Sequence, residues 1–563
     1  MAILQKIKAE IKKAAGADLD IGYPPNSELG DLSTTVFVLA KAKGENPVKV
    51  SQQISQNLSQ NKKLKALVAE VKVSGGYVNF FLNHNNLGEK VLTEIKKEKD
   101  KYGRNNSGQK AGVMVEFSNG NTHKEVHIGH LRNICFGDSV TKLLSENNYK
   151  AIPVSYINDF GIFVAKTLWQ YKKNEVHYQS MAGSKGYILG TCYKDAVSAL
   201  ENNEEAKEEI TKIMKEIESR QGEYYKLWQK TRLWSIAYLK EVYQDLDIKF
   251  QKTFYENEVI GSGLKIVAEL IRKKILIKSQ GAIIADLEKY NLGVLPIIRS
   301  DGTALYPVAD LSLAVKKFKE NKIIESIYIV DVRQGLYFKQ LFQILELMGY
   351  KQKMTHLAYD FVTLPSGMMS SRSGNVITYR ELIDEAISLA VSATKEKRTD
   401  WSAKKIKQIA TELALSTIKF EMLKVSSQKT ITFDIKEALK FEGYTATYLQ
   451  YTHARIMSLT KKGGFKKSKV DYKLLTESFE KTLIIKMAKY PEVVLRAASS
   501  YDPSEIAKYL FELSQSFNDY YHNIPIIKSD PKTKAARLEL AGAVGQIIKN
   551  GLKLLGLKAI NEI

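Results

Sequence analysis

The sequence predicts a multidomain α/β protein. A doubly wound, Rossmann-like parallel-sheet domain with an insertion lies between an N-terminal α+β domain and a C-terminal all-α bundle. Three observations carry this. The apolar strand Gly112–Phe117 (GVMVEF) leads through a polar loop into a helical pattern over His127–Asn147, then a second apolar strand, Ala151–Tyr156, the opening of a doubly wound domain. After Trp401 almost every segment has helical period. The 563 residues also exceed what one hydrophobic core sustains.

Residues 1–107 form the α+β part. MAILQKIKAEIKKAAG alternates Lys with apolar residues and lacks the continuous apolar run of a signal segment, so it reads as an amphipathic helix. Val48–Leu58 and Leu64–Val71 have helical or mixed periodicity, and Val71–Leu82 (VKVSGGYVNFFL) reads as strands about a Gly-Gly turn. Lys96–Ser107, charged and polar, reads as a linker. Residues 108–395 make the doubly wound domain, with a charged, helical insertion over about 173–243. Strand-like runs resume at Gly281–Asp286, Leu295–Ile298 and Ser326–Val330. Residues 396–563 form the bundle, with periodic segments at Ile406–Lys424, Tyr444–Lys462, Leu475–Ala488, Pro503–Tyr521 and Thr533–Leu555.

Composition narrows the function classes. No stretch approaches the ~20 apolar residues that span a bilayer, so no membrane partner is expected. Two cysteines, Cys135 and Cys192, cannot build a cysteine zinc site or a disulfide framework, which fits a reducing cytoplasm. A net charge of +22 suits a polyanionic partner, although lysine-rich chains that bind no nucleic acid have the same balance.

Two stretches carry chemistry. His127-Ile128-Gly129-His130 opens a helix after the first strand of a parallel sheet, where free backbone N–H groups face phosphates. Its histidines could hydrogen-bond the charge that develops as pyrophosphate leaves, and Gly129 would let a flat base approach the backbone. Gly367–Asn375 (GMMSSRSGN) is a hydroxyl-rich loop with one arginine, Arg372, suited to closing over a triphosphate. Read alone, the first is a helix cap and the second a solvated turn.

Together, HIGH and a downstream Met-Ser-x-Arg loop resemble the paired signatures of class I aminoacyl-tRNA synthetases. VEFSNGNTHKEVHIGHLRNICFGDS (Val115–Ser139) is similar to the arginyl family's VEFSSPNxAKPxHxGHLRxxxxGDS. YINDFG (Tyr156–Gly161) resembles its YxGDWG, DGTALYPVAD (Asp301–Asp310) its DGTxLYxTRD, and QGLYFKQLF (Gln334–Phe342) its QxxHFxQLF, with Tyr337 in place of His. EALKFEGYTATYLQYTHAR (Glu437–Arg455) resembles the opening of its tRNA-binding C-terminal domain, and GDLSTTVFVLAK from Gly30 its GDFATNxAxxLAK.

The resemblance implies ATP-dependent ligation of L-arginine to tRNA(Arg) through an arginyl-adenylate, by a cytoplasmic monomer. ATP implies Mg²⁺ held by phosphates and water, with no protein metal site. His127, Gly129, His130, Met369, Ser370 and Ser371 would hold ATP, with Lys124, His127, His130 and Arg372 catalytic. Glu116, Asn119, Asn121, Tyr306, Asp310 and Gln334 would hold arginine; Tyr306 and Asp310, four apart, would share a helix face beneath the planar guanidinium. Asn79, Phe80 and Phe81 resemble the family's surface for the tRNA elbow; Tyr448, Tyr451 and Arg455 are expected at the anticodon, with Tyr520 and Tyr521, near a second matching stretch (SFNDYYHNIPI), beside them.

The match departs at Ser118-Asn119-Gly120-Asn121, at Asn158 and Phe160, and at the Met-Ser loop, which lacks both lysines of KMSKS. Two other readings compete. A cysteinyl enzyme would need a cysteine-rich zinc site, and a silent tRNA-binding relative would need a broken ATP site.

Overall fold

The computed structural model describes residues 3–201, 203–365, 367, 377–464 and 470–563. At its centre are parallel strands β1 (Gly112–Glu116), β2 (Lys150–Ile157), β3 (Lys252–Tyr255), β4 (Glu325–Asp331) and β5 (Lys353–Tyr359). Their order is β5-β4-β1-β2-β3. The winding reverses at β1, so a crevice opens between the carboxyl ends of β1 and β4, where sheets of this kind receive ligands. Helices α1 (Ile128–Glu146), α2 (Glu256–Arg272), α3 (Tyr306–Glu320) and α4 (Gly335–Leu347) accompany these strands.

Alternation along each strand feeds two cores. Val113 and Val115 of β1 and Ile327 and Ile329 of β4 join the core shared with α1 and the C-terminal helices. Met114, Tyr328 and Val330 face the core under α2, α3 and α4. Helix α1 lies close to the sheet because residue 137 is Gly: a Cβ there would stand 2.1 Å from Cγ of Phe117.

Two of the strand-like runs do not extend the parallel sheet. Ala282–Asp286 pairs antiparallel with Ile277–Ser279 and with Val294–Ile298 in a separate sheet. A tight turn at Gln280 (φ 50°) and Gly281 (φ 83°) leaves no room for the crossover that parallel neighbours need.

The insertion runs from helix Ile162–Lys173 to helix Gly222–Asp245 and has small cores of its own, around Trp169 and around Tyr178. In the N-terminal part, Tyr77–Leu82 is the central strand of an antiparallel sheet, between Leu32–Thr35 and Val68–Ser74. Leu64–Val71 divides into the end of a short helix, Lys62–Lys65, and the start of that last strand.

The C-terminal part packs helices Ala403–Leu423, Ala446–Gly463, Ser478–Ser499, Ser504–Asn523 and Pro531–Leu554. The third continues past Ala488 and through Pro491. Proline has no N–H for the carbonyl four residues back, that of Met487. The Tyr102 hydroxyl donates to it instead, at 3.1 Å, and the buried Tyr102 ring stacks on Tyr490. The stretch read as a linker therefore begins as the end of helix His84–Glu98 and then docks on the bundle. The backbone group that proline orphans is satisfied from outside the helix.

Candidate active site

The loop after β1 takes two non-glycine residues into the left-handed region, Ser118 (φ 56°) and His123 (φ 60°). His123 is buried, its ring nitrogens against the hydroxyls of Thr122 (2.9 Å) and Thr231 (2.8 Å), and its N–H donates to Ser235. Burial first, then Arg232, brings its pKa down to about 3, so it is a neutral anchor tying the loop to the insertion. Lys124 follows, its ammonium 5.0 Å from the Phe163 ring centre and 4.5 Å from that of Tyr193.

At the start of α1 the two histidines cap the helix on each other. The Gly129 N–H donates to Nδ1 of His127 at 3.1 Å, and the His127 N–H donates to Nδ1 of His130 at 3.2 Å. Burial, helped by the Lys124 charge, lowers His127 to about 4 and His130 well below its ordinary value. Both rings are therefore neutral near pH 7. With each Nδ1 accepting, the remaining proton sits on Nε2, and both rings are hydrogen-bond donors without being cations. Gly129 eases this packing, since a Cβ there would lie 3.0 Å from Cε1 of His127 and the ring would have to give by a few tenths of an ångström.

The residues expected at the Met-Ser loop, Met369, Ser370, Ser371 and Arg372, lie outside the described residues. The chain that follows is fixed beside the histidines: Ile128 N–H donates to Ile377 O at 3.2 Å and Tyr379 N–H to Val126 O at 2.7 Å.

The crevice widens into a cleft of about 2470 Å³. It brings together Lys124, His127, Gly129 and His130 with Glu116, Asn119, Asn121, Tyr306, Asp310 and Gln334. Tyr306 and Asp310 do lie on the first turns of α3; Tyr306 is 73% exposed, and Asp310 accepts a hydrogen bond from the Tyr337 hydroxyl. Glu116 is not a free acid. Its carboxylate is paired with Lys317 of α3, both buried, and receives Asn119 Nδ2 at 3.4 Å. Asn121 accepts from Asn158 Nδ2 at 3.3 Å.

Sequence reasoning missed Glu256, Tyr156 and Lys317. Glu256 opens α2 at the carboxyl end of β3 and lines the cleft with Asp310. Burial, then Asp310 and Asp159, raises its carboxyl to about 8. Burial likewise raises Asp310 to about 7, against the Tyr337 hydrogen bond. The Tyr156 hydroxyl is buried in the same cleft with no hydrogen-bond partner among the described residues. The cleft thus holds two half-buried acids that resist ionising beside an unpartnered hydroxyl, a set of groups that a polar cation would satisfy.

The family described as tRNA synthetases class I (R), catalytic domain, matches residues 91–435. The arginyl tRNA synthetase N terminal domain matches 1–82, and the DALR anticodon binding domain matches 449–563. The chain belongs to the arginyl-tRNA synthetase family. It is 37% identical over 551 residues to the arginine–tRNA ligase of Bdellovibrio bacteriovorus, covering 95% of this chain and 93% of that one. It is 34% identical over 549 residues to that of Streptococcus suis, covering 95% and 94%. Among solved structures, the Thermus thermophilus arginyl-tRNA synthetase superposes with a TM-score of 0.83 at 26% identity, covering 100% of this chain and 99% of that one.

Away from this synthetase cleft, the residues expected at the anticodon form one cluster. The Arg455 guanidinium lies 4.9 Å from the Tyr451 ring centre and 5.2 Å from that of Tyr521. It donates to Asn518, which donates in turn to the Tyr448 hydroxyl. Tyr521 is 37% exposed, whereas Tyr520 is core. In the N-terminal sheet Asn79 is buried and accepts from Ser33 at 2.6 Å, while Phe81 is half-buried under the Lys72 ammonium.

Proposed function

We propose that this chain ligates L-arginine to tRNA(Arg) through an arginyl-adenylate, with Asp310 and Glu256 together taking the guanidinium. The observation that carries this is the pair of acids lining one cleft, where burial and then Asp310 raise the carboxyl of Glu256, because an arginine side chain is a fixed, planar fork of donors that pairs with carboxylates. The Tyr156 hydroxyl adds a neutral acceptor. Asn119, Asn121 and Gln334 are left for the amino-acid end. His127 and His130 donate Nε2–H to the phosphates of ATP at the start of α1; the backbone N–H groups there are already taken, Ile128 by Ile377 O, Gly129 by His127 Nδ1 and His130 by His127 O, so the rings rather than the helix backbone make the contact. The carboxylate of arginine then attacks the α-phosphate, and a terminal ribose hydroxyl of the tRNA takes the arginyl group. Positioning and charge stabilisation suffice. Among the described residues no group of three or more His, Cys, Asp and Glu could hold a metal ion. Mg²⁺ would enter with ATP, on its phosphate oxygens and on water.

ATP–pyrophosphate exchange with each amino acid, with and without tRNA, tests the reading; exchange with another amino acid in preference to arginine overturns it. The acids add a pH signature. Both carboxyls are raised, so below about pH 7 they hold protons that the guanidinium must displace, and above about 8 they are ionised. The KM for arginine is expected to fall by roughly tenfold or more from about pH 6.5 to 8.5 and then level. A flat profile removes the pair from the pocket.

In the C-terminal part, Arg455 and the tyrosines around it serve as a platform for unpaired anticodon bases. Arg455→Ala is expected to raise the KM for tRNA by about tenfold or more, on the scale of one lost stacking contact, and to leave the KM for arginine unchanged. Equal tRNA kinetics would return the cluster to a structural role.

A further inference from the structure

The buried ion pair behind the acids is unusual for its place. Lys317 is fully buried on α3, and its ammonium pairs with Glu116 at the carboxyl end of β1. It also stands 4.0 Å from the ring centre of Tyr328 on β4, the strand that pairs with β1 in register at Glu116. Asp310 lies two turns earlier on the same face of the same helix. A charge buried this way costs more than it returns when an apolar core could take its place, so its position needs a reason.

We propose that Lys317 is a positioning residue for arginine selection: it neutralises Glu116 at the floor of the pocket, leaving Asp310 and Glu256 to take up the substrate's charge. The proposal rests on the arginine-binding reading above. Around Asp310 stand Glu116 from β1, Tyr156 from β2, Glu256 from α2, Lys317 from α3 and Tyr337 from α4. Lys317 is the cation in this set. Burial works to lower its pKa, but Glu116 and Tyr328 together outweigh burial and hold it above the ordinary value, so it stays charged. Without it, three carboxyls would crowd one cavity, and like charges would keep the substrate-facing pair protonated. With it, the free acids are two, enough for one guanidinium. Paired with Lys317, Glu116 is held in place to accept from Asn119.

This assigns opposite signs to two substitutions. In Lys317→Met, the Glu116 charge is uncompensated, and the pH at which the arginine KM levels is expected to move up by about one unit. The KM near neutral pH should rise about tenfold, with the KM for ATP within about twofold. In Glu116→Gln, the lysine is uncompensated, and the levelling pH should move down. Lys317→Arg should regain most of the wild-type profile, and the Lys317→Met/Glu116→Gln double variant should return its midpoint toward wild type. The assay is arginine-dependent exchange with tRNA present, run from about pH 6 to 9 on the full-length protein. If Lys317→Met does not fold, Glu116→Gln carries the test alone. Midpoints that stay fixed, or move in the same direction in both variants, overturn the proposal and make the pair a purely structural one. Wild-type protein that fails to activate arginine overturns the reading beneath it instead, so the two failures are distinguishable.

Discussion

Asp310→Asn is expected to raise the KM for arginine by roughly 10²–10³-fold. Removing one partner of a desolvated ion pair costs roughly 3–5 kcal/mol, because the other charge is left buried and unmatched. The substitution keeps the shape of the side chain and an oxygen for the Tyr337 hydroxyl, so α3 and α4 stay where they are. Glu256 remains, and with it part of the pocket's negative charge. The KM for ATP should change little, since the nucleotide lies toward α1. The carboxyl titrates at about 7, so the gap between wild type and variant should narrow as pH falls below that value and the wild-type acid itself becomes neutral. Arginine saturation curves at two pH values measure both effects. An unchanged KM and kcat would place Asp310 outside the arginine site.

What the sequence reveals and what it hides divide along physical lines. The opening GVMVEF is legible as a strand because a strand buried on both faces is continuously apolar. The C-terminal helices are legible because each keeps one apolar stripe over many turns. β3 and β5, at the edges of the sheet, carry Lys, Thr and His among their apolar residues, and no such run marks them. The hairpin strands after Gln280 look like sheet strands locally; only the length of the turn between them decides the partner.

The site divides the same way. His127, Gly129 and His130 are near neighbours in the chain, so a motif carries them. Glu256 reads as an ordinary acid at a helix start, where the dipole favours one. Lys317 reads as one of the many lysines of this chain. What sets either of them apart is a neighbour far away in sequence: Asp310 on another helix for the first, Glu116 on a strand for the second.

Lys124→Ala is expected to lower the rate of arginine activation by roughly 10²-fold, the scale seen when one transition-state donor is removed. The Met-Ser stretch has Met and Ser where KMSKS has its lysines, and its only base is Arg372. The two histidines at α1 are neutral, so they donate hydrogen bonds but bring no net charge. A pentacovalent phosphate and a departing pyrophosphate still need positive charge nearby. Lys124 is placed to supply it. The strained His123 and its threonine contacts fix the loop, and the ammonium rests between the Phe163 and Tyr193 rings. Among the described residues it makes no ion pair, and its charge is felt at both histidines. Aromatic faces hold a cation weakly enough to release it to a phosphate. The contact strengthens as negative charge develops, so the affinity for ATP should change much less than the rate. Lys124→Arg should restore part of the rate and Lys124→Gln should not, which separates charge from packing. Wild-type activation by Lys124→Ala at saturating ATP and tRNA would assign the charge to Arg372 or to a metal ion alone.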